Sequence, residues 1–205
     1  MTKITGCLFI VSAPSGTGKT SLVKALLQNT PNLRLSISHT SRAPRANEIN
    51  GRDYHFISKK DFKQMEERGE FLESAEVYGN FYGTSKKWID ETIMSGRDIL
   101  LEIDCQGAHQ VHQLFPEAVS VFILPPSLDT LATRLKTRGQ DNPEIIQQRL
   151  AAVREEVGHI NEFNYVIIND VLEEAREDLM SIVRAEHLKI ARQLVIYQTL
   201  ITQLG

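Results

Sequence analysis

Ala13-Pro14-Ser15-Gly16-Thr17-Gly18-Lys19-Thr20 lies between the apolar run Cys7-Leu8-Phe9-Ile10-Val11 and a stretch of helical pattern over 20–29. A short run of that kind reads as a strand buried on both faces, so the local order is strand, glycine-rich loop, helix. The octet matches the Walker A pattern except at its first position, where Ala13 replaces glycine. Glycines let successive main-chain N–H groups point into one concavity, and the following helix adds the positive end of its dipole. Lys19 is then placed to reach β- and γ-phosphates, and Thr20 to offer a hydroxyl to Mg²⁺. An ordinary glycine turn needs neither the strand before it nor the helix after it. The stretch implies a nucleotide phosphate and leaves the reaction open.

Outward from that loop, Leu33, Leu35 and Ile37 alternate with polar residues as in a half-buried strand. Short strands are expected at 54–57 and on both sides of Gly79-Asn80 within 71–82, with Ser58 and Asp61 as a helix-capping pair between them. A helix from about Ser85 carries Trp88, Ile89 and Ile93 and stops at Ser95-Gly96. Buried strands are expected at 99–104, 119–124 and 165–168, and helices at 127–137 and from Asn142-Pro143 onward. Residues 172–203 read as one long amphipathic helix with Leu172, Leu179, Ile182, Val183, Ile190 and Leu194 on its apolar side. Its pattern suits an oligomer interface as well as packing on its own sheet, so monomer and homo-oligomer both stay open.

Strands alternating with helices predict an α/β chain of the P-loop NTPase fold, a parallel sheet flanked by helices. The divisions expected are a core with the phosphate loop at 1–37, an inserted lobe at 38–88, core at 89–126, a helical lid at 127–158, and core with the C-terminal helix at 159–205. A formal charge of -3 excludes a general nucleic-acid or membrane-surface binder, so any anion site must be built from local basic clusters. Cys7 and Cys105 both lie in apolar runs, which predicts small buried thiols, no disulfide framework and a reducing, cytoplasmic setting. No stretch approaches the apolar length of a membrane span.

Two basic clusters supply the anion chemistry. Arg42 and Arg45 flank Pro44 at the start of the inserted lobe, with Tyr54 and Tyr82 at its strand edges. Guanidinium forks suit a phosphate dianion, and phenol hydroxyls complete such a cage without adding charge. Arg134 and Arg138 stand one helical turn apart, with Leu128, Leu131 and Leu135 forming the apolar stripe, and Arg149 follows on the next helix. Thr137-Arg138-Gly139-Gln140-Asp141 between them is polar and turn-rich, as a flap would be. Phosphoryl transfer needs positive charge around the migrating group and exclusion of water. Asp104, at the end of an apolar strand, resembles a Walker B carboxylate or else caps a helix. His109 and His112 lack a third ligand nearby in the sequence, and the acidic pairs Glu155-Glu156 and Glu173-Glu174 read as solvated helix faces.

The strings APSGTGKT, SHTSRAPR, GRDYHF, FLE, GNFYGTS, EIDCQGA, RLKTRGQD, the arginine of QQRL, and IIND follow one another in the order found in bacterial-type guanylate kinases. The chain resembles that family over essentially its whole length. The resemblance implies transfer of a phosphoryl group from ATP to GMP with Mg²⁺, GMP in the inserted lobe, and arginine-bearing lid helices. It implies that Ser38, Glu73 and Thr84 read the guanine, with Asp104 close by, and that Arg42, Arg45, Tyr54 and Tyr82 hold the GMP phosphate. Lys19, Arg134, Arg138 and Arg149 would act on the transferring group, and Asn169 would lie by the adenine. Thr84 stands where the family often has serine, and Glu102-x-Asp104 where it often has two aspartates. Two other readings are a P-loop kinase for a different monophosphate and a guanylate-kinase-like module that binds peptides without turnover. A carboxylate at Glu73 suits guanine N1–H, whereas adenine presents an acceptor there, and an interaction module would have no use for Lys19, Arg138 and Arg149.

Overall fold

A computed structural model describes residues 5–77, 79–137 and 143–205. Arg138, the rest of the expected flap at 139–141, and the Asn142 cap lie outside the described residues. Along the described chain run β1 (Leu8–Ser12), α1 (Lys19–Gln28), β2 (Leu33–Leu35), β3 (His39–Thr40), β4 (His55–Phe56), α2 (Lys59–Glu67), β5 (Phe71–Val77), β6 (Asn80–Ser85) and α3 (Lys86–Met94). There follow β7 (Asp98–Glu102), α4 (Cys105–Leu114), β8 (Val119–Leu124), α5 (Leu128–Thr137), α6 (Pro143–Gly158), β9 (Tyr165–Ile168), α7 (Leu172–His187), α8 (Ile190–Ile196) and α9 (Gln198–Leu204).

Strands β2, β7, β1, β8 and β9 lie side by side in that order, all parallel. Alternation along β1 explains its unbroken apolar run. Phe9 and Val11 join Leu22, Val23 and Leu26 of α1 and Leu179 and Val183 of α7, while Leu8 and Ile10 join Ile89 of α3 and Val111 of α4. Both faces of the strand are therefore core, each fully buried Leu or Ile stabilising the fold by about 1.5–3 kcal/mol. Cover thins at the edge strand, where Val166 and Ile168 of β9 are 44% and 51% exposed. Because β1 is flanked by β7 and β8, the crevice beyond its carboxyl end is where a nucleotide-binding α/β sheet receives its ligand.

A second sheet, in the order β4-β3-β6-β5, shares no strand pairing with the first, but Leu72 of β5 joins the core cluster around Leu8 and Ile10. Its hairpin turns at Gly79, whose φ of 74° lies in the left-handed region. Helix α2 is capped as expected, Ser58 Oγ accepting from the Asp61 N–H at 3.1 Å. The α2 residue Phe62 is wholly buried and stacks on Phe71 and Phe81, with ring centroids 4.5 Å and 5.5 Å away. A third, smaller cluster joins Leu131 and Leu135 of α5 to Ile146 and Val153 of α6.

The expected single helix over 172–203 is three helices. After α7, Lys189 turns extended at φ -55°, ψ 136°. Buried polar contacts stabilise that bend: His187 Nε2 lies 2.6 Å from the buried Asp98 carboxylate, and the Arg192 guanidinium sits 3.8 Å from the same carboxylate and donates to Cys7 Sγ at 2.7 Å. Ile190 and Leu194 consequently point away from the sheet, 72% and 47% exposed. Cys105 is buried as expected, but Cys7 is only half-buried.

Candidate functional site

The phosphate loop takes the shape its glycines permit. Gly16 and Gly18 have φ of 92° and 91°, conformations that cost a side-chain-bearing residue roughly 1–2 kcal/mol. Thr17, fully buried, turns its hydroxyl back to Pro14 O at 2.9 Å, and Ala13 packs against the core cluster. Lys19 Nζ donates to Ile103 O at 3.2 Å, which holds the ammonium group at the carboxyl end of β7. Asn169, just past β9, donates from Nδ2 to Thr17 O at 2.7 Å. A Cβ at Gly18 would stand 2.5 Å from that amide nitrogen, so glycine is required there for space as well as for φ.

The carboxylate that reaches the phosphate loop is Glu102, not Asp104. Strand β7 ends at Glu102, and its Oε1 accepts from the Thr20 hydroxyl at 2.5 Å. Asp104, two residues on, caps α4 by accepting from the Gly107 N–H at 2.8 Å, the helix-cap alternative its position allowed. Mg²⁺ prefers hard oxygen ligands and is commonly held by one or two carboxylates together with substrate phosphates. Thr20 and Glu102 fit that demand, whereas among the described residues no cluster of three His, Cys, Asp or Glu side chains forms a closed metal cage. Of the pair expected on a solvated face, Glu155 is exposed and Glu156 is not. It is half-buried, and burial pushes its carboxyl up to about 7 although Lys19, whose field also acts on it, opposes that rise.

Register explains how the lobe assembles its residues. A bulge between Phe71 and Glu73 sets Glu73 opposite Thr84, and paired residues of neighbouring strands project to the same face. Tyr82, two residues before Thr84, shares that face and pairs with Thr40 of β3. The Thr84 hydroxyl donates to Glu73 Oε1 at 2.6 Å, and both side chains are buried. Desolvation pushes the Glu73 carboxyl up to about 7; the Thr84 hydrogen bond lowers it and the negative field of Asp104 raises it further. Ser38 precedes β3, its carbonyl accepting from the His55 N–H at 2.9 Å.

Arg42 lies with its Cζ 5.4 Å from the Tyr54 ring centroid, and the Tyr54 and Tyr82 rings are 5.9 Å apart. Three of the four expected phosphate-cage residues thus stand together. Arg45 is exposed, its guanidinium 3.9 Å from Glu48, a residue the sequence reading passed over. Burial pushes the Tyr54 phenol up to about 12, and the field of Glu102 contributes, so it stays a proton donor. Glu102 thus accepts from Thr20 of the phosphate loop while its negative field reaches Tyr54 of the lobe.

From the lid helices, Arg149 donates to Ser15 Oγ and so touches the phosphate loop directly. Leu135 and Leu131 lean on Gly16, where a Cβ would stand 2.7 Å from Leu135 Cδ2. Arg134, which the resemblance assigns to the transferring group, is here engaged with main-chain carbonyls. Its guanidinium donates to Asn169 O at 2.9 Å and Thr17 O at 3.3 Å, because the Asn169–Thr17 tie gathers main-chain carbonyls at that corner. No helix among the described residues is long and apolar enough to cross a membrane.

With that geometry established, comparison with known proteins is specific. Residues 6–186 match the family model described as Guanylate kinase. The chain is 61% identical to a guanylate kinase of Nitrosospira multiformis, with 100% of this chain and 97% of the relative covered. It is 57% identical to one from Nitrosomonas europaea, covering 96% and 98% respectively. Among solved structures, guanylate kinase from Anaplasma phagocytophilum superposes with a TM-score of 0.79 at 35% identity, covering 94% of this chain and 92% of that one.

Proposed function

Since the chain belongs to the guanylate kinase family and transfers a phosphoryl group from ATP to GMP, with Mg²⁺, we propose how its residues divide that reaction. The phosphate loop 13–20 cradles the ATP phosphates through its main-chain N–H groups, and Lys19 reaches the β- and γ-phosphates. Thr20 and Glu102 would hold Mg²⁺, which supplies charge neutralisation across those phosphates when bound. Asn169 lies by the adenine, and Arg134 acts indirectly by holding Asn169 and the loop carbonyls together.

The lobe at 38–88 takes GMP. Arg42, Arg45, Tyr54 and Tyr82 hold its phosphate, and Ser38, Glu73 and Thr84 read its guanine, with Asp104 adjoining. The observation that carries this assignment is Glu73: a carboxylate buried at 4% exposure, given one hydroxyl donor by Thr84 and facing the same way as Tyr82. Burying it without a partner is costly, and the N1–H and exocyclic amine of guanine are two donors suited to it. Adenine, an acceptor at N1, would meet that carboxylate lone pair to lone pair.

The attacking GMP phosphate is largely dianionic at neutral pH, its second pKa being about 6, so no strong base is needed. Catalysis is positioning and charge neutralisation, by Lys19 from the phosphate loop and by Arg138 and Arg149 from the lid at 127–158. Burial pushes the Cys7 and Cys105 thiols up to about 11, which suits unreactive thiols in a reducing cytoplasm. A coupled assay for ADP over GMP, AMP, CMP and UMP tests the acceptor assignment. GMP should exceed AMP in kcat/KM by on the order of 10³-fold or more, and comparable rates would remove the base-reading role of the lobe.

A further inference from the structure

Glu48 has no role in the division above, yet it is wired into the acceptor site more tightly than Arg45 is. Its carboxylate takes the Arg42 guanidinium at 2.8 Å and 2.9 Å, both bonds from one nitrogen, while the other terminal nitrogen donates to Ala43 O at 2.8 Å. The same carboxylate accepts the Arg45 main-chain N–H at 2.7 Å, and the Glu48 N–H closes the turn by donating to Arg45 O at 3.0 Å. Its side chain is 16% exposed, in a segment where residues 43–47 are all exposed.

We infer that Glu48 is a positioning residue for the acceptor phosphate, gripping the Arg42 guanidinium and the Arg45 main chain together so that both arginines stand ready for a dianion. The inference rests on the reading that Arg42 and Arg45 hold the GMP phosphate. Arg42 alone has many rotamers, and ordering such a side chain on binding costs conformational entropy. Glu48 makes that ordering part of the folded lobe. A guanidinium carries five N–H donors, so the bonds from two of its nitrogens leave others for the ligand.

A different role for the same carboxylate is that of an occupant, sitting where the phosphate goes and expelled by it. The main chain argues against this. An occupant would pair with side chains, whereas Glu48 is bonded to Arg45 through both main-chain directions and is a part of the loop itself. Burial pushes the Glu48 carboxyl up, but hydrogen bonds from Arg42 and Arg45 outweigh it and hold the group below the usual range, so it is ionised at neutral pH. Glutamine in its place keeps the size and one acceptor oxygen and loses the charge.

The test compares GMP with guanosine, which carries the same base and no phosphate. The Kd of GMP, the inhibition constant of guanosine against GMP, and KM and kcat for both substrates are measured on the parent, Glu48→Gln, Glu48→Asp and Arg42→Met. Glu48→Gln should weaken GMP by on the order of tenfold, with guanosine, the KM of ATP and kcat within about twofold. Glu48→Asp keeps the charge but cannot span Arg42 and the Arg45 N–H together, so it should show the same selective loss and serves if the glutamine variant folds poorly. Equal losses for GMP and guanosine would make Glu48 a general support of the lobe and overturn the inference. So would unchanged or tighter GMP binding in Glu48→Gln while Arg42→Met still loses GMP, a result that leaves the phosphate assignment standing. GMP affinity unchanged in Arg42→Met would instead remove the phosphate assignment itself.

Discussion

Glu73 Oε2 lies 2.7 Å from the place a Cβ at Gly107 would occupy, so the first turn of α4 touches the carboxylate proposed to read the guanine. Gly107→Ala has two opposed effects. Alanine in place of glycine in a helix stabilises by about 0.8–1 kcal/mol, while the new methyl must push the carboxylate aside. The carboxylate is the flexible end of a side chain, so the fold should survive with its melting temperature nearly unchanged. Recognition should not: KM for GMP is expected to rise about tenfold with KM for ATP unaltered. A GMP KM within about twofold of the parent would show that the close approach has no functional weight.

The raised carboxyl of Glu73 has a signed consequence for stability. In the unfolded chain it titrates near the ordinary glutamate value of about 4.3, and in the folded protein at about 7. Below the lower value both states are protonated and nothing is lost. Between the two, the unfolded chain releases a proton that the folded chain keeps, so stability falls as pH rises, and the loss is complete above the folded value. Glu73→Gln escapes that loss. Without GMP it should melt higher than the parent at pH 8, by an amount corresponding to about 1–3 kcal/mol, with the gap shrinking towards pH 5. A gap of equal size at both pH values would contradict the titration. GMP at a concentration saturating the parent should reverse the order, since the ligand stabilises the tighter-binding parent more.

Lys19→Ala removes a cation held at Ile103 O and proposed to act on the ATP phosphates. Turnover should fall by about 10³-fold or more, while the Kd of GMP stays within about twofold. Loss of GMP binding in step with turnover would place Lys19 on the acceptor instead.

Gly18→Ala strains the loop in two ways, through its φ of 91° and through the 2.5 Å approach to Asn169 Nδ2. The Asn169–Thr17 tie should give way, costing roughly 2–3 kcal/mol of stability and raising KM for ATP. Asn169→Ala, which removes the tie without strain at residue 18, should raise KM for ATP with a smaller fall in melting temperature. Equal melting temperatures for the two variants would show that the backbone strain is not expressed.

How much of this was legible in the sequence depended on how local the cause was. The phosphate loop reads directly, because the run around Phe9 and Val11 and the glycines at 16 and 18 are consecutive in the chain. The pairing of Glu73 with Thr84 depends on a bulge at Phe71/Glu73 that leaves no local pattern, and only the family resemblance named both residues. Glu102 and Asp104 differ by two positions, and which of them faces the loop is decided by where β7 stops. The break after α7 was invisible because neither glycine nor proline marks it; contacts with Asp98, 89 residues before His187 in the chain, stabilise it. Glu48 did leave a signal, an acid three residues after Arg45 and six after Arg42, inside the lobe's basic cluster.

The central claim, that Glu73 selects guanine, is tested most directly by Glu73→Gln in steady-state kinetics with GMP and AMP, alongside titration with ATP alone. The amide sets an N–H donor against a guanine N–H where the carboxylate offered an acceptor, a mismatch that is costly for a group buried at 4% exposure. The account predicts kcat/KM for GMP down by on the order of 10²-fold or more, ATP affinity within about twofold, and no requirement that AMP turnover appear, since Ser38 and Thr84 remain. A folded Glu73→Gln variant with the parent's GMP kinetics would contradict it.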